Sequence, residues 1–183
     1  MPGRPRRLPE GCFGGSHFSG YNPRTQRPIY AKKALHLVLR SSLATGQFSM
    51  KRKELSARVW DIIVKHANQN GIQIYEYANG GNHLHLLIRV RRRDSYCRFI
   101  RSISGLIARA VKGCEKGTPL NGKFWDHRPF TRVVGFAGKQ FQKVKLYLAR
   151  NRLEAIGFLP YLERRYSRSP DWKAFWSHYC CFP

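Results

Sequence analysis

Residues 71–90, GIQIYEYANGGNHLHLLIRV, limit the possible folds more than any other part of the chain. Both ends of this stretch alternate in character, and NGGN between them supplies the small residues of a tight reversal. The segment therefore predicts two antiparallel strands, 71–78 and 83–90, joined as a hairpin. Successive side chains on a strand point to opposite faces, so His83, His85, Leu87 and Arg89 share one face while Leu84, Leu86, Ile88 and Val90 share the other. One face suits a core, and the other sets two imidazoles side by side.

The remaining elements follow from the same periodicities. ALHLVLR (34–40) reads as a first strand, with Leu35, Leu37 and Leu39 on one face and Ala34, His36, Val38 and Arg40 on the other. Leu55, Val59, Ile62, Ile63 and His66 recur at helical spacing, which predicts a helix from Ser49, a capping residue, to about Asn70. A second helix is expected from Asp94 or Ser95 to Lys112, stopping at Gly113. KFWDHRPFTRVVG (123–135) suggests a fourth strand interrupted near Pro129, and residues 139–157 a final helix ended by Gly157. The order β-α-β-β-α-β plus a helix predicts an α+β, split βαβ protein, ferredoxin-like or RRM-like. Two helices would cover one face of an antiparallel sheet and the C-terminal helix the other.

A length of 183 residues suits one domain, here 29–158. Residues 1–28 hold five prolines, five glycines and five arginines and are expected to be a flexible basic arm; 159–183 are a basic aromatic tail. Thirty-four Lys and Arg against ten Asp and Glu give a net charge of +24, which points to a polyanionic partner and first to nucleic acid. No run of about 18 apolar residues is present, and the N-terminus lacks a secretory apolar core, so the expectation is no membrane partner and a cytoplasmic, nucleoid-associated protein. The five cysteines are odd in number and show no C-x-x-C spacing, as expected of reduced thiols; His178, Cys180 and Cys181 make a poor metal chelate.

Two histidines at i, i+2 on a strand can bind one divalent ion, and they can equally be ordinary residues of a solvated strand. Arg89, Arg91, Arg92 and Arg93 continue the same strand and would suit a phosphate-handling site. Tyr147 and Asn151, at i, i+4, share a face of the last helix: one offers a phenol, the other an amide oxygen. Tyr147 also has a plain reading as a core tyrosine. Arg98 and Arg101 on the second helix could track a DNA backbone or simply face solvent. Residues 127–153, which include Arg128 and Lys143, carry seven Lys and Arg and no acid, with Lys123 just upstream. This one-sided run favours contact with DNA.

NHLHLLI (82–88) resembles the His-hydrophobe-His signature of the HUH single-strand nucleases, and YLARNRLEAIGF (147–158) resembles the tyrosine helix of their single-tyrosine transposase branch. GKFWDHRPF (122–130) and LHLVLRS (35–41) are similar to the tryptophan segment and first strand of the REP-associated tyrosine transposases, although Arg152 stands where relatives have proline. The resemblance implies Mg²⁺ or Mn²⁺ held by His83, His85 and Asn151, with Tyr147 as nucleophile. It also implies single-stranded or hairpin DNA as substrate, cleaved through a 5′-phosphotyrosine link by a monomer or homodimer. Two rivals remain at this point: an RNA- or DNA-binding module stacking bases on Tyr75 and Tyr77, and a domesticated transposase that binds DNA without moving it.

Overall fold

The computed structural model describes residues 10–18, 25–114, 122–137 and 139–160. Its elements are β1 (Cys12–Phe13), β2 (Ala34–Arg40), α1 (Lys53–Gln69), β3 (Gln73–Asn79), β4 (His83–Arg89), α2 (Arg93–Lys112), β5 (Phe130–Val134) and α3 (Lys139–Ala155). The strands form one antiparallel sheet in the order β1-β5-β2-β4-β3. Without β1, this is the strand order of the split βαβ fold. The expected α+β architecture is present.

Alternation on the central strands decides the layering. Leu35, Leu37 and Leu39 of β2 and Leu84, Leu86 and Ile88 of β4 are buried in one core with Val59 and Ile63 of α1 and Phe99, Ile103 and Ile107 of α2. The opposite face carries a smaller cluster of Ala34, Leu87, Val134 and Leu148, against which Tyr75, Phe141 and Val144 pack. That second layer is α3. Leu148 is the one buried residue of α3, and its burial contributes about 1.5–3 kcal/mol towards holding the helix on the sheet.

Four expectations are corrected by physical detail. Part of the arm is folded: Cys12 pairs with Arg132 and Phe13 with Thr131, adding an edge strand. Arg27 anchors the same segment, its guanidinium donating to the Phe13 carbonyl and the Thr131 hydroxyl and lying over the Phe13 ring at 4.5 Å. The first helix begins at Lys53, four residues after Ser49. Met50 is fully buried and tied to the hairpin, its N–H donating to the Gly81 carbonyl and its carbonyl accepting from Asn79 Nδ2, so the chain there cannot yet coil. The second helix begins at Arg93, which leaves Asp94 in its first turn, where a carboxylate favours the helix dipole. The fourth predicted strand forms only over Phe130–Val134, because Phe124–Asp126 instead runs along the end of β2, with Asp126 N–H donating to the Arg40 carbonyl and Ser41 Oγ to that of Phe124.

A bulge also breaks the expected alternation of β3. Ile74 pairs with Ile88 and Glu76 with Leu87, which leaves Tyr75 as the extra residue. Tyr77 consequently packs on the α1 side, 4.9 Å from the Trp60 ring, whereas Tyr75 joins the α3 layer against Phe141. Glu76 turns towards α3 as well and pairs with Arg152 at 3.2 Å. The tail beyond Pro160, with Cys180 and Cys181, lies outside the described residues, as do 1–9 and 19–24 of the arm.

Candidate active site

The hairpin sets the position of the histidines. Gly80 N–H donates to the His83 carbonyl and Gly81 N–H to Asn79 Oδ1, which closes the turn and starts β4 at His83. His83 and His85 then project from the face that α3 covers, their ring centres 4.8 Å apart and nearly perpendicular. His83 Nδ1–H donates to Asn82 Oδ1 at 2.6 Å.

A third histidine completes the cluster. His36 lies on β2, opposite Leu87 of β4 and Arg132 of β5, while His85 is opposite Val38. His36 and His85 are therefore diagonal neighbours on one face, and His36 Nε2 and His85 Nδ1 share a hydrogen bond of 3.1 Å. Burial, reinforced by the Arg132 guanidinium, lowers the His36 pKa to about 4, so the ring is neutral at physiological pH. The prediction from sequence placed His36 on the correct face but gave it no role. Its signal was the alternation of ALHLVLR, which needed the strand order and register to become a contact.

Tyr147 comes to these rings from the other layer. Phe141, Val144 and Leu148 set α3 on the sheet, which brings the Tyr147 ring edge-on to His85 at 5.7 Å and His36 at 6.2 Å. It is 42% exposed, unlike a core tyrosine. These rings border a cavity of about 580 Å³ that also reaches Arg40, Asp126, His127, Arg128 and Phe130.

Asn151 is one turn beyond Tyr147 on α3, and its amide nitrogen is buried with no hydrogen-bond partner among the described residues. A buried N–H left so costs about 1–3 kcal/mol, a cost that a hydrogen-bond acceptor such as a phosphate oxygen would relieve and a cation would not. Among the described residues no cluster of three His, Cys, Asp or Glu side chains could hold a metal ion. A metal at the histidine pair would thus need a donor of another type. Two imidazoles and an amide oxygen fit a divalent ion that takes its remaining ligands from phosphate and water.

The predicted DNA contacts fall in different places. Arg128 borders the cavity, and Lys143 is exposed on α3 one turn before Tyr147. Lys123 sits in the neighbouring loop, its ammonium donating to the Asp126 carbonyl. Arg89, Arg91, Arg92 and Arg93 are at the far end of β4, since the strand runs away from His83. Arg91 and Arg92 are exposed, Arg89 donates to the Ala31 carbonyl, and Arg93 donates to the Arg27 carbonyl. Arg98 and Arg101 belong to α2, across the sheet from the histidines, and Arg98 is held by Asn70 Oδ1.

The split βαβ sheet thus carries paired histidines on a central strand, under a tyrosine helix and inside a strongly basic chain whose charge suits a polyanionic partner. The family follows from the sequence itself: residues 31–151 match the family described as "Transposase IS200 like", and the chain belongs to it. Its family is thus one of DNA transposition enzymes. Among solved structures, a proposed transposase from Deinococcus radiodurans R1 is similar, with 16% identity, a TM-score of 0.41, and coverage of 72% of this chain and 98% of that one. No curated protein matches. Among the described residues no helix is long and apolar enough to cross a membrane.

Proposed function

We propose that this transposase is a metal-dependent single-strand DNA endonuclease and strand transferase that uses Tyr147 as its nucleophile. The observation that carries the reading is the meeting of the two layers: the Tyr147 ring lies against His85, which is itself beside His83, within one chain. Tyr147 Oη would attack the scissile phosphorus and break its bond to O3′. The phenolic proton passes to solvent and the departing O3′ takes one up. The products are a 5′-phosphotyrosine link and a free 3′-hydroxyl, and the link conserves the phosphodiester energy for rejoining. His83, His85 and Asn151 would hold Mg²⁺ or Mn²⁺, which supplies Lewis-acid polarisation and alignment of the phosphate. Arg128, on the cavity wall, and Lys143, exposed one turn before Tyr147, would receive the backbone around the cleavage point.

The substrate proposed is single-stranded DNA at or near hairpins such as repetitive extragenic palindromes. The base-stacking module is disfavoured by the β3 bulge, because Tyr75 and Tyr77 face opposite layers and form no common platform. Incubation with labelled hairpin-bearing single strands and Mn²⁺ tests the proposal. A covalent adduct on a denaturing gel, lost with a chelator, is expected; its absence with every hairpin tried overturns the nuclease reading.

A further inference from the structure

Both histidines of the pair are held through the same ring atom. His83 Nδ1 faces an acceptor, Asn82 Oδ1, so that nitrogen bears the proton and Nε2 carries the lone pair. His85 Nδ1 faces His36 Nε2 at 3.1 Å. The ring centres of His36 and His85 are 5.3 Å apart with planes only 22° from parallel. That separation is about the N···N distance plus a ring radius at each end, so the imidazoles meet edge to edge, nearly in line, as a strong N–H···N bond requires. They are bonded rather than stacked.

Such a bond has two forms. With the proton on His85 Nδ1, His36 Nε2 accepts and His85 Nε2 carries the lone pair. With the proton on His36 Nε2, His85 accepts and its own proton moves to Nε2, where it blocks ligation. We propose that His36 is a positioning residue, which accepts from His85 Nδ1–H and so fixes His85 in the same tautomer that Asn82 fixes in His83. The two rings then offer matching Nε2 donors. Polar groups behind a metal-bound histidine have this effect elsewhere, orienting the ring and choosing its tautomer. The location of His36 suits it to this role, since it is buried, comes from the strand beside β4, and is set on the diagonal by the register Val38 to His85. The purpose assigned to this tautomer rests on the metal reading above, but the tautomer itself does not.

The test uses the full chain without metal, labelled with ¹⁵N at histidine, and reads the protonated nitrogen of His85 from long-range proton–nitrogen correlations. His85 is expected to carry its proton on Nδ1. His36→Phe keeps a ring but removes the acceptor, and should shift His85 towards the Nε2–H form and weaken Mn²⁺ binding, followed by electron paramagnetic resonance, by about tenfold or more. His36→Gln can place an amide oxygen near the position of Nε2 and should restore both. A purely structural role would not give tautomer rescue by glutamine. A wild-type His85 protonated on Nε2 overturns the proposal, even if His36→Phe does not fold. So does a folded His36→Phe with unchanged tautomer. If His85 is in the Nδ1–H form but the wild type binds no Mn²⁺, the positioning stands and the metal reading falls. If Mn²⁺ binds while the tautomer is wrong, the reverse holds.

Discussion

Gly80→Ala is the sharpest probe of the histidine pair, because it adds a single methyl group next to His83. A Cβ at Gly80 would sit 2.6 Å from His83 Nε2 and 2.8 Å from Nδ1, and closer still to Cε1. Ordinary contact needs about 3.5 Å, so the ring must retreat by about 1 Å or rotate away from Asn82. Gly80 does not have a positive φ, so alanine fits its backbone. Reduced unfolded-state entropy, about 0.4–1 kcal/mol in favour of the variant, roughly offsets the loss of one hydrogen bond worth about 1 kcal/mol. Stability should therefore hardly change. Function should change a great deal, since a 1 Å misplacement in a reacting assembly can cost about 100-fold in rate. The assay is single-turnover cleavage of a hairpin substrate alongside thermal melting. Gly105→Ala is the control: it lies within α2 with nothing within 4 Å of the added atom, and should gain about 0.5–1 kcal/mol at parental cleavage rate. Cleavage by Gly80→Ala at the parental rate would refute the placement of His83 in the reaction.

Tyr147→Phe should fold, bind single-stranded DNA as the parent does, and yield neither adduct nor cleaved strand; peptide mapping of the wild-type adduct to any other tyrosine would contradict the assignment. His83→Ala and His85→Ala should each abolish cleavage with DNA binding largely kept, because the basic surface supplies the affinity, as a gel-shift titration would reveal. Replacing Arg91 and Arg92 with Ala should lower the salt slope of single-strand binding by up to about 1.4, at about 0.7 per phosphate, and an unchanged slope would take the DNA path away from the end of β4. Arg27→Ala should release β1 and speed labelling of the half-buried Cys12 thiol, whose pKa burial raises; peptide-resolved alkylation measures it, with exposed Cys97 as internal reference.

The layering was legible in the sequence because it depends on a period of two. ALHLVLR and HLHLLIR each divide into a leucine face and a histidine-bearing face, and the structure keeps both divisions. The period failed in β3, where the extra residue Tyr75 rotates the remainder of the strand. Nothing local in GIQIYEYA marks that position. The bulge turns Glu76 to meet Arg152 of α3, an element that lies far along the chain. The pairing of His36 with His85 was hidden for the same kind of reason: each is visible on its strand, but the contact exists only once β2 lies beside β4 in one register. Nearness in sequence does not carry over to the charges either. Arg91 and Arg92 lie close to the histidines in sequence, yet a strand rises about 3.3 Å per residue, so Arg91 is about 20 Å along the chain from His85.

The arm shows how composition can point the wrong way. Its glycines suggested a segment unable to order, but Gly14 has a φ of 87°, and a Cβ there would collide with the Pro129 carbonyl. The missing side chain is what allows the backbone to lie against the loop before β5 and Gly15 N–H to donate to the Arg128 carbonyl. Gly15 and Ser16 thereby become part of the cavity wall facing His36, His85 and Tyr147. Glycine costs more entropy to order than any other residue, and Arg27, bonded to Phe13 and Thr131, supplies the compensating contacts. A segment with the composition of a tether thus closes one side of the candidate active site, and the chemistry proposed for Tyr147 takes place in a cavity that the histidine strand and the tyrosine helix do not complete by themselves.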